Sequence, residues 1–120
     1  MLGSILMATS SLANPVQWST SAGGNGHWYQ AVVSSDWITW VDSNAAAEAT
    51  GGHLASVTSD EENQFIYALI QPIPGFWNGG QWDGPWIGGI QDTSSPDYSE
   101  PAGGWTWVTG EAWAYTNWEP

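Results

Sequence analysis

The chain has 120 residues and contains no lysine and no arginine. Its 12 aspartate and glutamate residues therefore have no basic counterpart, and the formal net charge is −12. Without basic side chains the chain cannot neutralise phosphates by releasing counterions, which excludes nucleic-acid binding. Direct attachment to an anionic membrane surface is excluded for the same reason. Sites that need a phosphate-binding lysine, a Schiff-base lysine or an arginine clamp are excluded as well.

Cysteine is also absent, so the chain has no disulfide and no cysteine-ligated metal. The only side chains that titrate near neutral pH are His27 and His53. No zinc-binding His-Glu-x-x-His motif and no nucleophile elbow accompanies them. We therefore predict that the protein is not an enzyme and has no catalytic residues.

The residues that are present indicate one small folded domain. Hydrophobic residues make up 42% of the chain, and only 10% of residues are charged, which argues against disorder despite the net charge. Eleven residues are tryptophan, and each indole can bury roughly 150–250 Å². The composition predicts a tryptophan-rich core and a sparse acidic surface.

The N-terminal segment differs in composition from the rest of the chain. Residues 2–13 have small or apolar side chains and end in small residues. We therefore predict that residues 1–13 are part of a secretory signal peptide. The alternative is a flexible N-terminal tail. The run is shorter than the about 20 residues that cross a membrane. Residues 14–26 are predicted to form a flexible lead-in, and residues 27–120 the folded domain. This division predicts a secreted or cell-surface protein.

Two helices are predicted in the first half of the domain. Thr39 is typical of an N-cap before an alanine-rich helix over 40–50, whose apolar face would contain Trp40, Val41, Ala45 and Ala49. Ser59 and Glu62 form a Ser-x-x-Glu capping box at the start of a second helix. The buried stripe of that helix is predicted to be Phe65, Ile66, Leu69 and Ile70.

The remaining elements are predicted to be strands. They cover residues 28–33, 54–57, 86–90 and 105–108, followed by a turn at 109–111 that leads to 112–118. The order of elements predicts an α+β fold, because the helices come early in the chain, most strands come late, and no βαβ unit is repeated.

The order of these elements resembles that of the C-type lectin-like domain, in its bacterial, cysteine-free branch. The landmarks are His27-Trp28-Tyr29, Ile38-Thr39-Trp40, Gly51 to Ser59, Trp86-Ile87-Gly88-Gly89, and Gly104 to Glu111 followed by Tyr115-Thr116-Asn117-Trp118. The resemblance implies a C-type lectin-like fold in which Trp86, Trp107 and Trp118 are structural core residues. It also implies that the closing strands lie beyond Pro120, so that the domain is incomplete at its C-terminus.

The resemblance further implies that the complete protein binds carbohydrate and uses calcium to do so. Sugar-binding members hold calcium through acid and amide triplets, and calcium favours six to eight oxygen ligands. Glu119 is the one residue that could begin such a triplet. Asp92, Asp97 and Glu100 share a loop that holds accessory ions in some members, although solvated loop acids are the alternative interpretation.

Three tryptophans are candidates for stacking on the apolar face of a sugar. Trp77 and Trp82 lie in a glycine-rich loop over 72–85, and Trp113 is a similar candidate near the C-terminus. The alternative is that the loop folds back and caps the core. The predicted partner is a carbohydrate or glycoprotein, and the alternative is a structural or adhesion module that binds a protein.

Overall fold

A computed structural model describes the backbone of residues 5–6 and 11–12, and residues 14–77 and 84–118 in full. These residues form an α+β arrangement with two α-helices and short paired strands, as predicted. The strands are β1 (Ile5–Leu6), β2 (Ser11–Leu12), β3 (Val16–Gln17), β4 (Trp28–Tyr29), β5 (Ala31–Val33), β6 (Gly89–Gln91) and β7 (Trp105–Trp107). The helices are α1 (Trp40–Ala49) and α2 (Asp60–Ile70). Neither helix is long and apolar enough to cross a membrane.

The strands pair in three small sheets. β5 lies between β1, to which it is parallel, and β2, to which it is antiparallel. β3 pairs with β4 and β6 with β7, both antiparallel. The segment 14–26, predicted as a flexible lead-in, therefore contains a strand, β3, and also a short 3-10 helix, Thr20–Ala22. The predicted strand 28–33 is present but divided at Gln30 into β4 and β5.

Helix α1 begins and ends where the sequence predicted. The Thr39 hydroxyl accepts a hydrogen bond from the Asp42 N–H at 3.1 Å and donates one to the Asp42 carboxylate at 2.8 Å. At the other end Gly51 has φ +82°, a left-handed conformation that suits glycine and stops the helix. The predicted buried face was wrong, because Val41 is 69% exposed while Ser43 and Ala47 are fully buried.

Helix α2 follows its predicted pattern closely. The Ser59 hydroxyl accepts the Glu62 N–H at 3.1 Å, which confirms the N-cap. Ile66 and Ile70 are buried, and Phe65 and Leu69 pack against the same cluster, as the periodicity indicated. The helix ends at Ile70, before Pro72.

The segment between the helices runs through the centre of the molecule. Residues 54–57 are all buried, but they do not form the regular strand that was predicted. Gly88 crosses this segment: its N–H donates to the Ala55 carbonyl at 2.8 Å and its carbonyl accepts from Val108 at 2.9 Å. A Cβ at position 88 would lie 2.8 Å from the Leu54 carbonyl oxygen. Only glycine allows the backbones to approach this closely.

The predicted core tryptophans divide between the interior and the surface. Trp107 is 5% exposed, as expected for a core residue. The predictions for Trp86 and Trp118 were wrong, since these side chains are 38% and 51% exposed. The Trp86 indole N–H donates to the Ile38 carbonyl at 2.9 Å, so the ring lies along the surface next to the start of α1.

Candidate functional site

Four tryptophans near the C-terminal end of the described chain form one group, which we call the indole cluster: Trp105, Trp107, Trp113 and Trp118. Alternation along β7 places Trp105 and Trp107 on the same face of the strand. Gly110, at φ +77°, then turns the chain back and donates its N–H to the Trp107 carbonyl at 2.9 Å. This turn brings Trp113 over the strand.

Trp113 is the central ring of the indole cluster. Its ring centroid lies 4.4 Å from that of Trp107 and 5.7 Å from that of Trp105, the latter pair stacked at 19°. Trp118 completes the group, 5.2 Å from Trp105 and 6.1 Å from Trp113. These separations match those of attractive aromatic pairs. Trp113 is half-buried and Trp118 is exposed, so the cluster presents indole surface to solvent.

Beside the indole cluster is a cavity that we call the aromatic groove. It is lined by Val57, Asn63, Ile87, Trp107, Trp113, Tyr115, Thr116, Asn117 and Trp118. Its volume of about 100 Å³ is below the about 300–1,000 Å³ of a pocket that encloses a small molecule. The groove therefore suits contact with one face or edge of a ligand. Its apolar rings are accompanied by two amides and a threonine hydroxyl, which can hydrogen-bond to a ligand.

One polar atom of a groove-lining residue lacks a partner. The Nε1 of Trp107 is buried and has no hydrogen-bond acceptor among the described residues. An indole N–H is only a donor, and a buried donor without an acceptor costs about 1–3 kcal/mol.

The rim of the groove is acidic. The Tyr115 hydroxyl donates a hydrogen bond to the Asp60 carboxylate at 3.1 Å. Desolvation raises the pKa of Tyr115 above its usual value, and the hydrogen bond to Asp60 and the charges of Asp60 and Glu61 raise it further. Since the chain has no lysine or arginine, these carboxylates have no basic side chain to balance them.

The structure separates the three predicted stacking residues. Trp113 lies in the indole cluster and lines the aromatic groove. Trp77 is 40% exposed at the end of a 3-10 helix, with its indole N–H bonded to the Ile70 carbonyl, and it is not among the groove-lining residues. Trp82 lies outside the described residues. Trp118 was missed as a site residue because the family landmark assigned it to the core.

The predicted metal-binding acids do not converge. Asp92 accepts hydrogen bonds from the Ser94 hydroxyl and N–H at 2.6 and 2.9 Å, and these bonds lower the pKa of Asp92. Glu100 accepts from the Tyr98 hydroxyl at 2.6 Å, and Asp97 is exposed in the same loop. Within residues 14–77 and 84–118, no three acidic or histidine side chains form a group that could hold a metal ion. Glu119 lies outside the described residues.

The two histidines occupy structural positions. The Nδ1 of His53 lies 2.9 Å from the Leu54 carbonyl oxygen, and the backbone N–H of His27 donates to the Asn25 side chain at 2.8 Å. Neither residue lines the aromatic groove.

A comparison with curated proteins finds similarity to a mouse protein. The regenerating islet-derived protein 3-beta of Mus musculus is 32% identical over 83 residues, which are 68% of this chain and 43% of the mouse protein. This chain thus spans less than half the length of that relative. No family model matches the chain, and no solved structure matches it.

The mouse protein is a C-type lectin-like protein rather than a member of an enzyme family. The observed α+β arrangement is consistent with the same fold. The match supports the predicted resemblance at the level of the C-type lectin-like superfamily, and it leaves the bacterial, cysteine-free branch as a prediction.

Proposed function

We propose that this protein is a non-catalytic carbohydrate-binding module whose ligand stacks on the indole cluster. The observation that carries this proposal is the exposed indole surface of Trp113 and Trp118 next to the amides of the aromatic groove. Sugars present an apolar face to an aromatic ring and hydroxyls at their edge, and the groove offers both kinds of partner. The relationship to a C-type lectin-like protein supports the same function.

Calcium assistance in the complete protein is part of the proposal. The described acidic residues do not form a calcium ligand set, so stacking and hydrogen bonding are the interactions to which we assign the binding. Calcium dependence and export from the cell rest on the sequence resemblance and on the composition of residues 1–13. A chelator tests calcium dependence, and detection of the protein outside its source cells tests export.

Binding to a glycan array, followed by titration of the best ligand, tests the proposed function. We expect Trp118→Ala to weaken binding by about 2- to 10-fold, the loss expected for one aromatic contact. Trp37→Ala is the matched control, because Trp37 is 94% exposed and does not line the groove. The absence of binding to any glycan, with and without calcium, would contradict the proposal. Full binding in excess EDTA would exclude only calcium assistance.

An adhesion module that binds a protein partner is the second candidate. Trp37, Val41 and Trp86 expose apolar surface around the start of α1, outside the groove-lining residues. The Trp86 indole bonds to the carbonyl of Ile38, which places this ring beside the residue that follows Trp37. Capture of a protein partner that is lost in Trp37→Ala and kept in Trp118→Ala would favour this function.

A further inference from the structure

Three large apolar side chains around the start of α1 form an exposed surface that we call the α1 patch: Trp37, Val41 and Trp86. Trp37 is 94% exposed and Val41 is 69% exposed. The Trp86 indole N–H donates to the Ile38 carbonyl at 2.9 Å, which holds this partly exposed ring beside the chain that follows Trp37. Apolar area that folding leaves in water is available for burial by a second molecule.

The α1 patch continues along the exposed face of the helix. Val41, Ala45 and Ala49 follow one another at intervals of four residues, and all three are exposed. The stripe that they form is about 12 Å long, because an α-helix rises about 1.5 Å per residue. Two of its three side chains are alanines, so another chain can approach the helix backbone closely.

Carboxylates flank both parts of this surface. Asp36 directly precedes Trp37 in the chain. On the helix, Asp42 and Glu48 lie on opposite flanks of the stripe, since successive side chains are about 100° apart. All three carboxylates are exposed. The apolar surface is thus bordered by negative charge.

The carboxylates on the helix retain capacity to accept further hydrogen bonds. Asp42 accepts from the Thr39 hydroxyl at 2.8 Å, and Glu48 accepts from the Asn44 amide at 3.0 Å. Both of these donors are neutral, and the chain contains no lysine or arginine that could pair with either acid. A carboxylate has about four acceptor positions, so each acid can still bind a cationic group from another molecule.

The charge of the chain decides among the candidate occupants of the α1 patch. A second copy has the same net charge of −12, so it would bring carboxylates against carboxylates. An anionic membrane is repelled for the same reason. A protein with arginine side chains complements both features of the surface. Its guanidinium groups stack on indole rings and form paired hydrogen bonds with carboxylates.

We propose that the α1 patch binds a basic segment of a protein partner, with arginine stacked on Trp37 and paired with Asp36 or Asp42. Apolar side chains of the same segment cover Val41 and the alanines of the stripe. This inference goes beyond the proposed carbohydrate binding, because it concerns a surface outside the aromatic groove. It rests on the second candidate, the adhesion module, and defines the chemistry of its partner.

Selection of short linear peptides displayed on phage, with the whole chain immobilised as the target, tests the chemistry of the partner. At about 0.15 M NaCl we expect the enriched peptides to combine arginine with apolar residues and to have a net positive charge. The best peptide, synthesised and titrated by fluorescence anisotropy, should lose its binding when its arginines are replaced by glutamates. Enrichment of neutral or acidic peptides, or of none, would overturn the inference.

Variants of the chain locate the peptide. Trp37→Ala should weaken its affinity at least about 10-fold, as for a central tryptophan of an interface, and shift the unfolding temperature by less than about 3 °C. Trp118→Ala is the matched control, because it removes an exposed indole from the indole cluster and should leave the affinity within about 2-fold. Equal losses in the two variants would show that the peptide does not use the α1 patch.

A second pair of variants separates local charge from net charge. Asp36→Asn and Glu61→Gln each remove one negative charge, but Glu61 lies close to Tyr115 of the aromatic groove. We expect Asp36→Asn to slow association of the peptide by about 2- to 5-fold and Glu61→Gln to have a smaller effect. Equal slowing would assign the attraction to the whole chain and would contradict a local site.

The outcomes distinguish this inference from the proposals on which it borders. A neutral or acidic peptide whose binding is lost in Trp37→Ala would leave the adhesion module standing with a different partner. A dimer of the chain, or binding to phosphatidylcholine vesicles, that Trp37→Ala abolishes would overturn the inference by assigning the patch another occupant. Binding of glycans at the indole cluster is measured separately, so its failure leaves the result at the α1 patch unchanged.

Discussion

At the scale of single residues, Glu62 has a structural role in a chain without basic side chains. It is 2% exposed, and both carboxylate oxygens accept hydrogen bonds. Oε1 accepts from the Tyr29 hydroxyl at 2.5 Å and from the Asn25 amide at 3.1 Å. Oε2 accepts from the Thr58 N–H at 2.7 Å and from its hydroxyl at 2.8 Å. Neutral donors thus take the place that lysine or arginine has in other buried acid sites.

The substitution Glu62→Gln tests this network. Each carboxylate oxygen accepts from one hydroxyl and one N–H group, Oε1 from Tyr29 and Asn25 and Oε2 from Thr58 alone. A hydroxyl can turn to accept a hydrogen bond but an N–H group cannot, so the amide nitrogen of glutamine would face an N–H donor wherever it pointed. We expect the free energy of unfolding to fall by about 2–3 kcal/mol. Urea unfolding followed by tryptophan fluorescence measures it. Glu61→Gln is the control, since Glu61 is exposed on the same helical turn and should cost less than about 1 kcal/mol. Equal effects of the two substitutions would contradict the role of Glu62.

The same network predicts a loss of stability at alkaline pH. Burial of Tyr29 and its hydrogen bond to Glu62 raise the pKa of Tyr29 far above its usual value of 10.0. Above about pH 10 the unfolded chain therefore releases a proton that the folded protein retains, which favours unfolding. The contribution of Tyr29 to the free energy of unfolding is therefore fully present below about pH 10. As the pH rises above this value, the free energy of unfolding should fall by about 1.4 kcal/mol per pH unit because of this tyrosine.

Urea unfolding between about pH 8 and about pH 11 measures this slope. Tyr29→Phe should be less stable at the lower end of this range, because it loses the bond to Glu62, but its stability should fall less steeply with pH. A slope unchanged by Tyr29→Phe would show that other groups cause the alkaline loss.

At the scale of elements, the helices were predictable from local sequence. Thr39 and Ser59 cap the helices that they were predicted to cap, and the stripe of α2 is buried as its spacing indicated. The buried face of α1 was not predictable from its sequence. Most side chains of α1 are small, and their preference for burial differs little. Ala47 of this helix packs with Val32 and Leu54 in one buried cluster, and these contacts decide which face of α1 is covered.

Gly88 shows how one position joins three segments. Its backbone bonds to Ala55 on one side and to Val108 on the other, and an added Cβ would lie 2.8 Å from the Leu54 carbonyl oxygen. We expect Gly88→Ala to lower the free energy of unfolding by about 2–4 kcal/mol, because the new methyl group must displace backbone atoms. Thermal unfolding measures the effect. Gly84→Ala is the control, since its Cβ would meet only the Trp77 ring at 3.8 Å. A loss at Gly88 no larger than at Gly84 would contradict the close crossing.

At the scale of the whole molecule, the net charge of −12 opposes the folded state through self-repulsion. Raising NaCl from about 0.02 M to about 0.5 M should therefore stabilise the protein by about 1 kcal/mol, or roughly 3–6 °C in unfolding temperature. Differential scanning calorimetry measures the shift. Calcium chloride at the same ionic strength is the comparison, because stabilisation beyond that of NaCl would indicate specific calcium binding. A fall in unfolding temperature with added NaCl would contradict the repulsion.

The sequence by itself determined the α+β class and the two helix caps. A cap depends on atoms only about three residues apart, and the class follows from the order of the elements along the chain. Trp113 was also identified from sequence as a stacking candidate. The division of the other tryptophans into buried and exposed rings was not predictable in this way.

Tertiary structure alone decided the position of those rings and the partners of their N–H groups. The indoles of Trp40 and Trp86 bond to carbonyls 47 and 48 residues away. Trp107 has no such acceptor among the described residues, and Glu62 finds one donor 37 residues away in Asn25. Burial and hydrogen-bond satisfaction are set by which distant segments pack together, and neighbouring residues in sequence carry little information about that packing.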